Sequence, residues 1–214
     1  MEPKPYKPPP REALKTIYAD ADLLIIDKPS GLLSVPGRGP EKAVCAHQIL
    51  SEDYGAVFTV HRLDMDTSGI MVFSRSKAAQ RHLSRQFEQR QVDKVYEALV
   101  EGCPHPKSGT IDAPIARYSK QRPLRHLDPN GQSAITRWQR IANDDNSARL
   151  ALFPQTGRSH QLRLHLASLG HPILGDVFYG DPSSHERLCL HAKSLRFEHP
   201  ETRQKIEFKS DIPF

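Results

Sequence analysis

Strand-length apolar runs closed by turn formers dominate this chain and restrict it to a sheet-based fold. DLLIID (22–27) is followed by Pro29, Gly31, Pro36, Gly37 and Gly39, which end a strand and reverse the chain. FTVHRLD (58–64) reads as a strand end running into a loop, and GIMVFSRS (69–76) as the next strand. VDKVYEALVEG, QSAITRWQRIA, ARLALFP, LCLHAKSLRFEHP and QKIEFKS supply more strands. Two stretches read as helices: KAAQRHLSRQFEQR, capped by Ser76, and HQLRLHLASL, capped by Ser159 and ended by Gly170. The mixture predicts an α+β protein with a large mixed or antiparallel sheet.

At 214 residues, with 37% hydrophobic and 26% charged residues, the chain has enough apolar surface for a substantial core. The opening MEPKPYKPPPRE is rich in proline and charge and reads as a surface arm, with residues 1–20 preceding a catalytic domain at 21–214. No run is long enough to span a bilayer, and no charged-then-apolar signal opens the chain. Cys45, Cys103 and Cys189 form no CxxC pair, so a disulfide framework is not expected and the reduced cytoplasm is the expected compartment.

The formal charge of +5 favours a polyanionic partner, and its distribution says more. On the first helix Lys77, Arg81 and Arg85 recur every fourth residue opposite Ala79, Leu83 and Phe87, a basic face behind a core stripe. Arg117, Lys120, Arg122 and Arg125 fall in a loop-like segment without an acidic residue. Both are candidate phosphate contacts.

Chemistry concentrates in HRLDMDTSG (61–69) and TGRSHQLRLHL (156–166), far apart in the chain. Asp64 and Asp66, two apart, would share a face on extended backbone, as a glycoside hydrolase pair might require. DTSG brushes the aspartic protease pattern without a second copy, and a plain turn built by Asp66, Thr67 and Ser68 is the simpler reading. His160, His165 and His171 do not fall on one helical face, and no HExxH, phosphate loop or GxGxxG turn occurs, so no metal and no cofactor are expected. What remains is a carboxylate, arginines that would keep it ionised, and Tyr96 as a stacking aromatic. The bond that is broken stays open at this point.

HRLDMDTSG, KVYEALVEG, TGRSHQLRLHLASLGHPILGD and LCLHAKSLRFEHP, in that order, resemble the RluA family of pseudouridine synthases over about residues 23–208. DKPSGLLSVPGR resembles the RluA subgroup, whose members modify ribosomal RNA, transfer RNA or both. The resemblance implies that uridine's N1–C1′ bond is exchanged for a C5–C1′ bond without metal or organic cofactor. It implies a long mixed, mainly antiparallel sheet flanked by helices, with a central active-site cleft. Asp64 is then the essential carboxylate, attacking C1′, attacking C6 or opening a glycal route. Tyr96 is the active-site tyrosine, and Arg163 the arginine paired with Asp64, with Arg158 as its competitor. Arg62 is the wedge that fills the space left by an extruded base. Arg158 and His160 join Lys77, Arg81, Arg85, Arg117, Lys120 and Arg122 as expected RNA contacts. The partner expected is structured stem-loop RNA, not DNA or membrane, bound by a monomer. Many relatives carry an S4 module ahead of the core, and the short arm here places RNA selection on the catalytic domain itself. A non-catalytic RNA-binding protein and a glycosidase using Asp64 and Asp66 are the rival readings.

Overall fold

The computed structural model describes residues 5–118 and 123–214. Its elements are β1 (Lys15–Ala19), β2 (Leu23–Lys28), α1 (Ala46–Tyr54), β3 (Phe58–Thr59), β4 (Ser68–Ser74), α2 (Lys77–Glu88), β5 (Asp93–Glu101), β6 (Ser108–Asp112), β7 (Ile115–Arg117), β8 (Arg125–Leu127), β9 (Ile135–Asn143), β10 (Ser147–Pro154), α3 (Gln161–Ser168), β11 (Leu190–Glu198) and β12 (Lys205–Lys209). The architecture is α+β, a mixed sheet with three α-helices among the described residues. The chain divides into two compact units, residues 1–93 with 194–211 and residues 94–193 with 212–214.

In the first unit β2 pairs antiparallel with β4, from Leu23 opposite Ser74 to Lys28 opposite Gly69, and β3 adds to β4. Both long strands are apolar almost throughout because both of their faces are covered. Leu23, Ile25, Ile70 and Val72 pack with Leu83 of α2 and with Leu195 and Phe197 of β11. The Ser76 side chain accepts the Ala79 N–H at 3.1 Å and starts α2 as the sequence predicts. Ala79 and Leu83 are buried, and Lys77, Arg81 and Arg85 line the exposed face.

Two features of this unit differ from the sequence reading. Lys15–Ala19, inside the segment read as an arm, forms β1 on the edge of β2. Every side chain of β1 is exposed, so backbone pairing holds it and no buried alternation advertises it. Helix α1 was not anticipated, and its cap explains why. Cys45 takes the place of the usual capping oxygen, its Sγ accepting the Gln48 N–H at 3.4 Å.

In the second unit β5, β10, β9 and β6 follow one another in antiparallel order. Leu150, Leu152 and Trp138 pack against Leu162 and Leu166, which α3 presents one turn apart. The basic segment read as a loop is a hairpin in its described part: β7 and β8 pair Ile115 with Leu127 and Arg117 with Arg125. Lys120 and Arg122 lie outside the described residues.

Candidate active site

In the first unit Asp64 sits in the loop between β3 and β4, half-buried, and its carbonyl accepts the Thr67 N–H at 3.2 Å. That turn overturns the extended backbone assumed for Asp64 and Asp66, so the two do not share a strand face. Met65 and Asp66 form the turn, and β4 opens only after it, at Ser68.

Residues 28–34 hold this loop in place. The Lys28 Nζ, fully buried, donates to the carbonyls of Pro29 at 2.9 Å, Leu32 at 2.8 Å and Met65 at 2.9 Å. The Met65 carbonyl also accepts the Gly31 N–H at 3.0 Å, and the Ser30 hydroxyl donates to the Asp66 carbonyl at 2.7 Å. On the other side of Asp64, the Ser34 hydroxyl both accepts the Leu63 N–H at 3.1 Å and donates to the Leu63 carbonyl at 2.8 Å. His61 stacks on Phe87 at 4.7 Å, and its Nε2 accepts the Val72 N–H. Arg62 is therefore an exposed side chain between two anchored residues, and Asp64 is carried on a pinned backbone. Sequence reasoning noted DKPSGLLSVPGR as a family feature but missed that Lys28, Ser30 and Ser34 brace the aspartate loop. The signal was a lysine closing the strand whose first four residues are Leu23, Leu24, Ile25 and Ile26, where burial is costly unless the ammonium finds acceptors.

In the second unit Tyr96 lies half-buried on β5, opposite Leu152 and against the hydrophobic core. Arg163 on α3 is only 1% exposed. Its Nε donates to Asp176 Oδ2 at 2.8 Å and its Nη2 to Oδ1 at 2.6 Å, a bidentate fork. Asp176 Oδ1 also accepts the N–H groups of Phe178 at 2.9 Å and Tyr179 at 3.1 Å. The Phe178 ring covers the guanidinium at 4.9 Å. Asp176 was missed, although it ends the quoted motif GHPILGD and a buried guanidinium demands a carboxylate.

The loop before α3 corrects a second expectation. Ser159 does not cap this helix: the cap position is His160, at φ 58° with no side-chain cap bond. The Gln161 carboxamide organises the loop instead. Its Oε1 accepts the Arg158 N–H at 3.0 Å and the Thr156 hydroxyl at 2.8 Å, while its Nε2 donates to the Ile135 carbonyl and the Thr136 hydroxyl. His165 completes the chain, Nδ1 against Thr136 Oγ1 and Nε2 against the Ala113 carbonyl. A carbonyl can only accept, so Nε2 donates there, and the Thr136 hydroxyl faces Nδ1. Burial lowers the His165 pKa, against smaller raising effects from the Ala113 carbonyl and Asp112.

His160 stacks on Phe178 at 5.4 Å and its Nδ1 meets the Tyr179 hydroxyl at 2.9 Å. Burial raises the Tyr179 pKa, which keeps that hydroxyl protonated while it accepts the Arg125 N–H at 3.0 Å. Arg158 donates Nε–H to the Ser133 carbonyl at 3.1 Å. Among the described residues no group of three or more His, Cys, Asp or Glu side chains is placed to hold a metal ion, and no helix is long and apolar enough to cross a membrane.

Comparison with known proteins turns this carboxylate-and-arginine chemistry into a family assignment. The family model described as RNA pseudouridylate synthase matches residues 22–168, a span containing Asp64, Tyr96 and Arg163. The chain is 45% identical to the dual-specificity RNA pseudouridine synthase RluA of Haemophilus influenzae, with 98% of each chain covered. It is 42% identical to the protein of that name from Escherichia coli K12, again over 98% of each. Human RNA Pseudouridylate Synthase Domain Containing 1 has a similar structure, with TM-score 0.81 and 29% identity over 97% of this chain and 87% of that one. Human RNA Pseudouridylate Synthase Domain Containing 4 follows at TM-score 0.76 and 27% identity, covering 95% and 91%. A pinned aspartate loop, a half-buried tyrosine and a clamped arginine thus fall within one family pattern, and the chain belongs to the RNA pseudouridylate synthase family.

Proposed function

We propose that this protein isomerises chosen uridines of ribosomal RNA, transfer RNA or both to pseudouridine, a reading supported by its relatives' being named dual-specificity RNA pseudouridine synthases. The observation that carries the reading is that the family match contains all three residues assigned to chemistry: Asp64, Tyr96 and Arg163. Asp64 serves as the essential carboxylate through which uridine's N1–C1′ bond is broken and a C5–C1′ bond formed, C5 losing its proton and N1 gaining one. Arg163 is the arginine partner of that carboxylate, with Asp176 fixing the plane of the guanidinium, and Tyr96 stacks on the uracil. Arg62 fills the gap left by the extruded uridine, whose unstacking costs a few kcal/mol. Lys77, Arg81 and Arg85 on α2, with Arg117, Lys120, Arg122, Arg158 and His160, hold the RNA and offset that cost. Residues 21–214 act as the catalytic domain, in the cytoplasm and as a monomer.

Asp64→Asn tests the reading. The variant is expected to bind a stem-loop transcript as the parent does while forming no pseudouridine. Full product formation would overturn the assignment of Asp64. Mapping pseudouridines in total RNA with and without the protein identifies the substrates, and an unchanged map would count against the whole reading.

A further inference from the structure

A groove of about 310 Å³ opens in the second unit between the β7–β8 hairpin, the turn at residues 130–132 and the loop at 158–159. Three guanidinium-bearing residues line it, Arg117, Arg125 and Arg158, together with the polar residues Asn130, Gln132 and Ser159, and none of its lining residues is acidic. Arg117 and Arg125 are direct cross-strand partners in the hairpin. Like charges placed opposite each other on paired strands destabilise the pair, because their Cβ atoms lie only about 5 Å apart. A two-stranded ribbon has little stability to spare for such a conflict.

The remaining elements of the groove are held firmly. Ile115 exchanges both backbone hydrogen bonds with Gln132, each at 2.9 Å. Gly131 packs so closely on β7 that a Cβ there would lie 2.6 Å from the Ile115 carbonyl carbon. Arg158 is oriented through Nε on the Ser133 carbonyl and through its own N–H on Gln161. Arg125 donates Nη1–H to the carbonyls of Pro123 at 2.7 Å and Leu124 at 2.9 Å, and its N–H is fixed by Tyr179. Arg125 and Arg158 are thus braced around a space they share with the exposed Arg117, at the cost of a like-charge cross-strand pair. An anion bridging them would reverse that cost.

We propose that this groove is an anion subsite that grips one backbone phosphodiester of the RNA, at a nucleotide other than the uridine that reacts. The proposal rests on the reading of the chain as an enzyme of RNA and names where part of the strand is held. Paired guanidiniums present parallel N–H donors that match two phosphate oxygens. Asn130 and Gln132 stand at the rim, where their amides reach the sugar or a base edge.

The test is equilibrium binding of the full chain to a stem-loop transcript across a salt series. It compares the parent with Arg117→Ala, Arg125→Ala, the double variant, and Arg196→Ala as an exposed control outside the groove. Each neutralised phosphate contributes roughly 0.7–0.9 to the slope of log affinity against log salt. The double variant is expected to lose about one such share. Arg196→Ala is expected to keep the parent slope. A double variant with the parent slope overturns the proposal, and so does one that loses two shares, since the arginines would then serve separate phosphates.

Thermal unfolding supplies the second readout. Without RNA, Arg117→Ala is expected to melt no lower than the parent, since a repulsion has been removed. Inorganic phosphate, matched in ionic strength with chloride, is expected to raise the parent's midpoint and not that of the double variant. Protection by phosphate with no change in the RNA slope would mark a free-phosphate site and overturn the RNA assignment. Pseudouridine is scored in the same transcripts. A parent that binds through the groove yet forms none counts against the isomerase reading and leaves the groove standing.

Discussion

Replacing Asp176 by asparagine tests the buried arginine clamp. The Asp176 carboxylate is wholly buried and accepts four hydrogen bonds, two from Arg163 at 2.8 and 2.6 Å and two from backbone N–H groups at 2.9 and 3.1 Å. Asparagine keeps one oxygen for Nη2 and the backbone, but sets an amide N–H against the Arg163 Nε–H. The full negative charge opposite the guanidinium is lost as well. Removing one partner of a buried pair costs about 3–5 kcal/mol. At about 2–4 °C per kcal/mol for a chain of this size, the midpoint should fall by roughly 6–20 °C. Calorimetry and urea unfolding followed by near-ultraviolet circular dichroism measure both quantities. The double replacement Asp176→Leu with Arg163→Met removes both charges, and should be less destabilised than Asp176→Asn. A loss below about 1 kcal/mol for Asp176→Asn, against the cost expected of a broken buried pair, would refute the reasoning. A double variant weaker than the single one would refute it too.

Three further outcomes follow from buried groups. Lys28→Met removes the ammonium from the carbonyls of Pro29, Leu32 and Met65, of which Met65 keeps the Gly31 N–H, and should cost at least about 1–3 kcal/mol with a drop in single-turnover rate as the Asp64 loop loosens. Burial holds His165 below its ordinary value of 6.5, so on acidification the unfolded chain takes up this proton first. The contribution is complete above that value and declines as pH falls toward the depressed folded pKa. Urea titrations across this range should show that decline, and His165→Gln should flatten it. Burial pushes the Cys189 thiol up to about 11; native protein near pH ~8 should leave Cys189 unalkylated until denaturant is added, as peptide mass mapping would show.

Strands β2, β4, β5 and β9 to β12, helix α2 with its Ser76 cap, and the α+β class were legible because periodicity and capping are local properties, whereas β6 was not named and β7 and β8 were read as a loop. Strand β1 was not, since its side chains are exposed and only its backbone is paired. Neither was α1, whose cap is a cysteine. Ser159 has the chemistry of a cap, yet the Gln161 carboxamide holds the loop before α3.

By itself the sequence determined the family and the residue types its chemistry needs, because four ordered motifs are a linear property. Only the tertiary structure showed which groups those residues lean on: Lys28 beneath the Asp64 loop, Asp176 beneath Arg163, and Arg125 opposite Arg117. Lys28 and Met65 are 37 positions apart, and no local periodicity records such a pairing. A buried ammonium or guanidinium must find its acceptors wherever the fold brings them, and that requirement appears only once burial is known.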